Sequence, residues 1–149
     1  MKYSLLINAA MMLSSCVATD VNQEPEFIAT PEFEAMGFPF SQAVKVGNML
    51  YLSGQVGDDQ ETGELVEGGI GPETIQTMKN IKEVLEQNGS SLDQVVKCTC
   101  MLADIAEWAK MSEEYIKFFP DHKPARSAFA GTGLALGARV EIECIAIVK

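Results

Sequence analysis

The run Val140-Glu141-Ile142-Glu143-Cys144-Ile145-Ala146-Ile147 constrains this chain more than any other stretch. It is strand-like, and side chains alternate along a strand, so Glu141 and Glu143 share one face. Ionised groups inside an apolar run are expensive to bury unless they are paired or put to use. Just upstream, Pro124-Ala125-Arg126-Ser127 sets one arginine at the start of another apolar segment. An arginine and two carboxylates in neighbouring β segments either tie strands together or serve chemistry.

At 149 residues the chain suits one domain with a real core. A formal charge of −10 and a pI near 4.5, with eleven scattered Lys and Arg, argue against a nucleic-acid surface. The single histidine, His122, excludes His-pair chemistry and His-rich metal sites. A Ser-His-Asp arrangement through it is a remote alternative.

Residues 1–15 have the form of a signal peptide: Lys2, an apolar stretch from Tyr3 to Leu13, then Leu13-Ser14-Ser15-Cys16. The stretch is too short to span a bilayer, which takes about 20 apolar residues. Its end resembles a bacterial lipobox, which implies cleavage before Cys16 and lipidation there. An ordinary secretory signal or an uncleaved leader is the plainer alternative. Residues 16–31, acidic and without a basic residue, are expected to form a flexible tether, and residues 32–149 the domain. The expected location is periplasmic, with the membrane touched only through the lipid.

From Ser41 the pattern becomes β. Gly47-Asn48 between Ala43–Val46 and Met49–Ser53 predicts a hairpin. After a polar loop over residues 58–69, Pro72 is expected to open a helix with Ile75, Met78, Ile81 and Leu85 on one stripe, stopped by Gly89. Residues 92–102 return to strand. Asp104 and Glu107 form a capping-box variant ahead of a second helix, whose stripe Trp108, Met111, Tyr115 and Phe118 reads as core. Two strands finish the order β-β-α-β-α-β-β, an α+β fold with two helices on one face of a mixed sheet. The other face would be bare, which predicts a homo-oligomer.

Cys98 and Cys100 share a strand face, and a C-x-C pair alone is weak support for zinc. Small buried apolar residues are the plainer reading. In an exported chain Cys144 could bond either of them, but only the Cα separation decides which. No P-loop, GxGxxG, HExxH or GxSxG pattern occurs.

Five segments occur in order: Phe27-Ile28-Ala29-Thr30-Pro31-Glu32, Ser41 to Asn48, Leu50-Tyr51-Leu52-Ser53-Gly54-Gln55, Pro124-Ala125-Arg126-Ser127 and Val140-Glu141-Ile142-Glu143. Together they resemble the RidA (YjgF) family of enamine/imine deaminases, once also called L-PSP endoribonucleases, over roughly residues 28–149. The resemblance implies a chorismate-mutase-like subunit in a homotrimer with sites between subunits, no cofactor and no metal. The implied substrates are 2-imino and 2-enamino acids. Arg126 would grip the substrate carboxylate and Glu141 would hold the water, with Ser53 and Gly54 lining the site. A guanidinium fork matches a carboxylate in a way that Lys cannot.

Departures from the family pattern fall on substrate-lining positions. Phe40 stands where a tyrosine is common, Ser112 where an asparagine is, and Ala128 where a cysteine is. Phe40 makes the expected pocket more apolar. The alternatives are an ion pair of Arg126 with Glu141 or Glu143 that only joins strands, and an exported ligand-binding or chaperone-like role without catalysis.

Overall fold

The structure, a computed structural model, describes residues 24–149. The expected leader over residues 1–15, Cys16 and the tether up to residue 23 lie outside the described residues. One seven-stranded mixed sheet organises the rest, in the order β1-β2-β3-β7-β5-β6, with β4 also paired to β7.

The strands are β1 (Glu26–Ile28), β2 (Ala43–Val46), β3 (Met49–Leu52), β4 (Gln55–Val56), β5 (Val95–Leu102), β6 (Ala125–Ala130) and β7 (Val140–Ile147). The hairpin forms as expected, with Val46 opposite Met49. Gly47 takes φ 60°, a left-handed value that suits the first residue of a two-residue hairpin loop. β7 lies at the centre, antiparallel to β3, β4 and β5. β5 and β6 are parallel, and the helix between them supplies the crossover that parallel strands need.

Among the described residues three α-helices form rather than two: α1 (Pro31–Ala35), α2 (Ile70–Gln87) and α3 (Trp108–Tyr115). α2 starts before Pro72, at Ile70, with Gly69 at the N-cap. Pro72 sits within the first turn, where amides have no partner inside the helix, so its missing N–H costs no bond. Gly89 stops the helix as expected. At φ 71° it donates to the Glu86 carbonyl (3.2 Å) while Ser90 donates to that of Leu85 (2.9 Å). These are the two bonds of a Schellman turn.

Other expectations shift. Residues 92–94 are a turn of 3-10 helix, and the strand begins at Val95. Asp104 caps, accepting from the Ala106 N–H (2.9 Å), but Glu107 does not close a box. Its carboxylate pairs with Arg139 instead. β1 and α1 stand where the acidic tether was expected to end, with Phe27 paired to Val44. Elements of three and five residues repeat too few times to show a period.

The core lies between the sheet and α2 with α3. Leu50, Leu52, Cys98, Cys100, Leu102, Val140, Ile142 and Cys144 point into it from the strands, and Met78, Ile81, Leu85 and Met111 from the helices. Thr74 and Thr77 are also buried there, each hydroxyl donating to the carbonyl one turn earlier. Asn80 ties α2 to the strand side through the carbonyls of Val56 and Asp58 (both 3.0 Å). The opposite sheet face is uncovered in the single chain and carries Tyr51, Glu141, Glu143, Ile145 and Phe129.

Candidate active site

Arg126 is the second residue of β6, opposite Cys98 of β5. Laterally paired residues share a face, so Arg126 and Ala128 project with Cys98 and Cys100 to the helix side of the sheet. There the guanidinium meets one face of α3. Its Cζ lies 5.3 Å from the Trp108 ring centroid and 5.0 Å from that of Tyr115. Its Nη2 donates to Ser112 Oγ at 3.1 Å. Trp108, Ser112 and Tyr115 are four and three residues apart, the spacing that aligns side chains along a helix. Ring faces attract the cation and fix its plane without neutralising it. Arg126 forms no salt bridge among the described residues, so the strand-tying pairing with Glu141 or Glu143 does not occur.

Glu141 projects from β7 to the other side, since its neighbours Val140 and Ile142 are fully buried against the helices. It is half-buried, and its carboxyl is held above the usual carboxylate range, first by that burial and then by the charge of Glu143. The carboxylate passes over Gly54. A Cβ on that glycine would lie 2.0 Å from Oε1 of Glu141, so only glycine permits the approach. Next to it, Ser53 Oγ donates to the Ser41 carbonyl (2.7 Å), and Gln55 Nε2 donates to the carbonyls of Ser53 and Gly54 (both 3.3 Å).

Phe40 lies beside this glutamate half, in a cluster with Phe33 and Phe38. The Phe38 and Phe40 rings stack at 5.3 Å, and Phe33 meets Phe40 edge-on at 5.8 Å. The three rings, with Glu34 and Ser41, line a depression that stays open to solvent. Phe40 remains 51% exposed, high for a ring in an aromatic cluster.

The residues singled out from sequence therefore form two half-sites. Arg126, Ser112 and Ala128 belong to the helix side; Glu141, Gly54, Ser53 and Phe40 belong to the bare side and its border. A single chain does not bring Arg126 and Glu141 together. Trp108 and Tyr115 were expected in the core, and only Tyr115 is buried there; Trp108 is 43% exposed. Both flank the guanidinium, a role that helical spacing alone does not reveal. His122 is exposed, its Nε2 donating to the Asp93 carbonyl (2.9 Å), away from any hydroxyl partner among its hydrogen bonds.

Comparison with known proteins identifies the family of the fold. The profile of the family described as Endoribonuclease L-PSP matches residues 31–148. Reactive Intermediate Deaminase A of Arabidopsis thaliana is 42% identical over 121 residues, covering 81% of this chain and 65% of its own length, so the chain spans slightly under two thirds of that relative. The 2-iminobutanoate/2-iminopropanoate deaminase of Mus musculus is 42% identical over 120 residues, 80% of this chain and 89% of that protein. The crystal structure of RidA from a Psychrobacter species superposes with a TM-score of 0.71 at 41% identity, covering 74% of this chain and 89% of the other. With most of the domain matched in both sequence and fold, the chain belongs to the endoribonuclease L-PSP family, which includes the RidA proteins.

Proposed function

We propose that this protein hydrolyses 2-imino and 2-enamino acids to 2-oxo acids and ammonia, in a homotrimer whose sites each join the two half-sites across a subunit boundary. The observation that carries the reading is the Arg126 guanidinium, aromatic-flanked, oriented by Ser112 and free of any carboxylate partner among the described residues. A buried or half-buried arginine without a counter-charge is costly, and a substrate carboxylate supplies one bidentately. The names of the relatives support the same chemistry.

An iminium carbon is already electrophilic, so the protein needs only to orient it and place water, with no cofactor. Arg126 holds the carboxylate. Glu141 of the neighbouring subunit accepts a proton as the water oxygen adds to the imine carbon, giving a carbinolamine. Returning that proton to nitrogen, with the carbinolamine hydroxyl then giving its own proton back to the Glu141 carboxylate, lets the C–N bond break, leaving the 2-oxo acid and releasing ammonia. A carboxyl held above its usual range is the better general base, because it binds the transferred proton more firmly. Ser53 and Gly54 shape the floor, and Ala128 lines the arginine side.

The Phe33–Phe38–Phe40 cluster adjoins Ser41, whose carbonyl is bonded to Ser53, so it borders the glutamate half-site. It would receive the substrate's side chain and favour large apolar ones. Cleavage before Cys16 and lipid attachment there would hold the enzyme at a membrane in the periplasm. Metabolic labelling with a fatty acid, compared between the full chain and Cys16→Ser, tests that placement.

Ribonuclease activity is the reading suggested by the older family description. A formal charge of −10 and scattered basic residues give an RNA backbone little to bind. The deciding experiment generates imino acids in situ with an amino-acid oxidase and follows 2-oxo acid release. Wild-type protein should accelerate release, and Arg126→Ala should lose about 10²–10³-fold in kcat/KM, the worth of a charged hydrogen-bond pair. Equal rates for the two proteins would refute the assignment.

A further inference from the structure

We propose that Cys98 and Cys144 form a cross-strand disulfide in this protein, leaving Cys100 as a free thiol. The three thiols among the described residues are buried together on the helix side of the sheet, but the register separates them. Cys98 of β5 is directly opposite Cys144 of β7, whereas Cys100 is opposite Ile142. Directly opposed residues of antiparallel strands have Cα atoms about 4.5–5.5 Å apart, inside the window of about 4.4–6.8 Å for a disulfide. The diagonal from Cys100 to Cys144 is about 7–8 Å and falls outside it.

The side chains follow the backbone. Sγ of Cys98 and Sγ of Cys144 are 2.6 Å apart, nearer than the roughly 3.5–4.0 Å at which even carbon atoms rest. That separation is within about 0.6 Å of a bonded S–S length of roughly 2.05 Å. The contact also polarises the pair: the hydrogen bond with Cys144 holds the Cys98 thiol below its ordinary range, while Cys144 is held well above its own. Burial pushes Cys100 up to about 12, which keeps it protonated and inert.

The bond lies beneath the arginine half-site. Cys98 neighbours Arg126 on β6, and its thiol meets the buried hydroxyl of the Tyr115 ring that flanks the guanidinium. The oxidant is a low-molecular-weight disulfide such as glutathione disulfide. One of the two cysteines, as its thiolate, attacks it to give a mixed disulfide and one free thiol, and the other then displaces the second. Two S–H bonds of the protein and the oxidant's S–S bond are exchanged for one S–S bond in the protein and two reduced thiols. Both sulfurs are sealed in the core, so the exchange takes place as the chain folds or opens locally.

The test refolds the full chain in a glutathione buffer poised near that of an oxidising compartment, then alkylates it in denaturant and maps its tryptic peptides without reductant. The expected product joins peptide 98–110 to peptide 140–149, 2 Da lighter than the two thiol forms together, with one alkylated cysteine that fragmentation places at Cys100. Cys100→Ala should keep the link and Cys144→Ala should lose it. Recovery of Cys98 and Cys144 both alkylated in the wild-type protein, or a link through Cys100, overturns the proposal. Because the mapping needs no turnover, its failure would leave the deaminase reading standing, and the reverse.

Discussion

Glu141 makes the sharpest residue-scale prediction, because its carboxyl is raised by burial and by Glu143. A carboxyl whose folded pKa exceeds its unfolded one binds its proton more tightly in the native state. Its contribution to stability is then lost as pH rises from the ordinary carboxylate range through the folded value. Glu141→Gln should therefore raise Tm at pH 7 and leave it unchanged near pH 3, while removing most activity. Glu143→Gln should keep turnover but move the acid limb of the kcat/KM profile to lower pH, since a repelling charge is gone. An acid limb that stays in place would mean that another group titrates there. Arg126 and Glu141 stand out from sequence as candidates, each an ionised residue in an apolar run. Their carriers do not: Trp108 and Tyr115 have the spacing of a core stripe, and only the position of β6 beside α3 turns that stripe toward a cation.

Among the elements, close approaches of backbone decide what each glycine can tolerate. At Gly54 an added Cβ would meet only the tip of the Glu141 side chain, which can swing away. Gly54→Ala should thus fold with Tm nearly unchanged and lose kcat, as the carboxylate is displaced from its seat. At Gly57 the added Cβ would lie 2.5 Å from the Glu73 carbonyl oxygen, backbone of α2 that cannot yield without moving the helix. Gly57→Ala should cost about 1–3 kcal/mol of stability, a fall in Tm of several degrees by thermal melting. If the aromatic cluster receives the substrate side chain, as proposed, rates on imines made from Ala-, Leu- and Phe-type amino acids should rise with side-chain size. A strict preference for the smallest would remove Phe33, Phe38 and Phe40 from the substrate site. The hairpin, α2 and the central strand β7 could be read in advance because each has a period or a turn pair that repeats. β1, α1 and β4 could not, since each is too short to hold two full repeats of its own period. β1 takes its identity from pairing with β2, a contact rather than a pattern.

At the scale of the whole molecule, the placement of Arg126 and Glu141 on opposite faces of one sheet is the controlling fact. Sequence could not supply it, because which face β6 presents depends on its register with β5, and Ala125–Ala130 has no hydrophobic alternation to declare one. A subunit with an arginine half-site on one side and a glutamate half-site on the other suits head-to-tail contact, which closes into a ring when the rotation permits. The bare face, with Tyr51 and Phe129 each about half exposed, is the surface such contact would bury. Subunit mixing tests this directly. Arg126→Ala and Glu141→Ala proteins should each be inactive alone. Unfolded together in equal amounts and refolded, they should regain about one quarter of wild-type activity, since one site in four then draws both intact residues from different subunits. If both residues came from the same chain, every site would carry one of the two substitutions and no activity would return. Sedimentation of the mixture beside the wild type establishes that both assemble, so the regained fraction reports the geometry of the site alone.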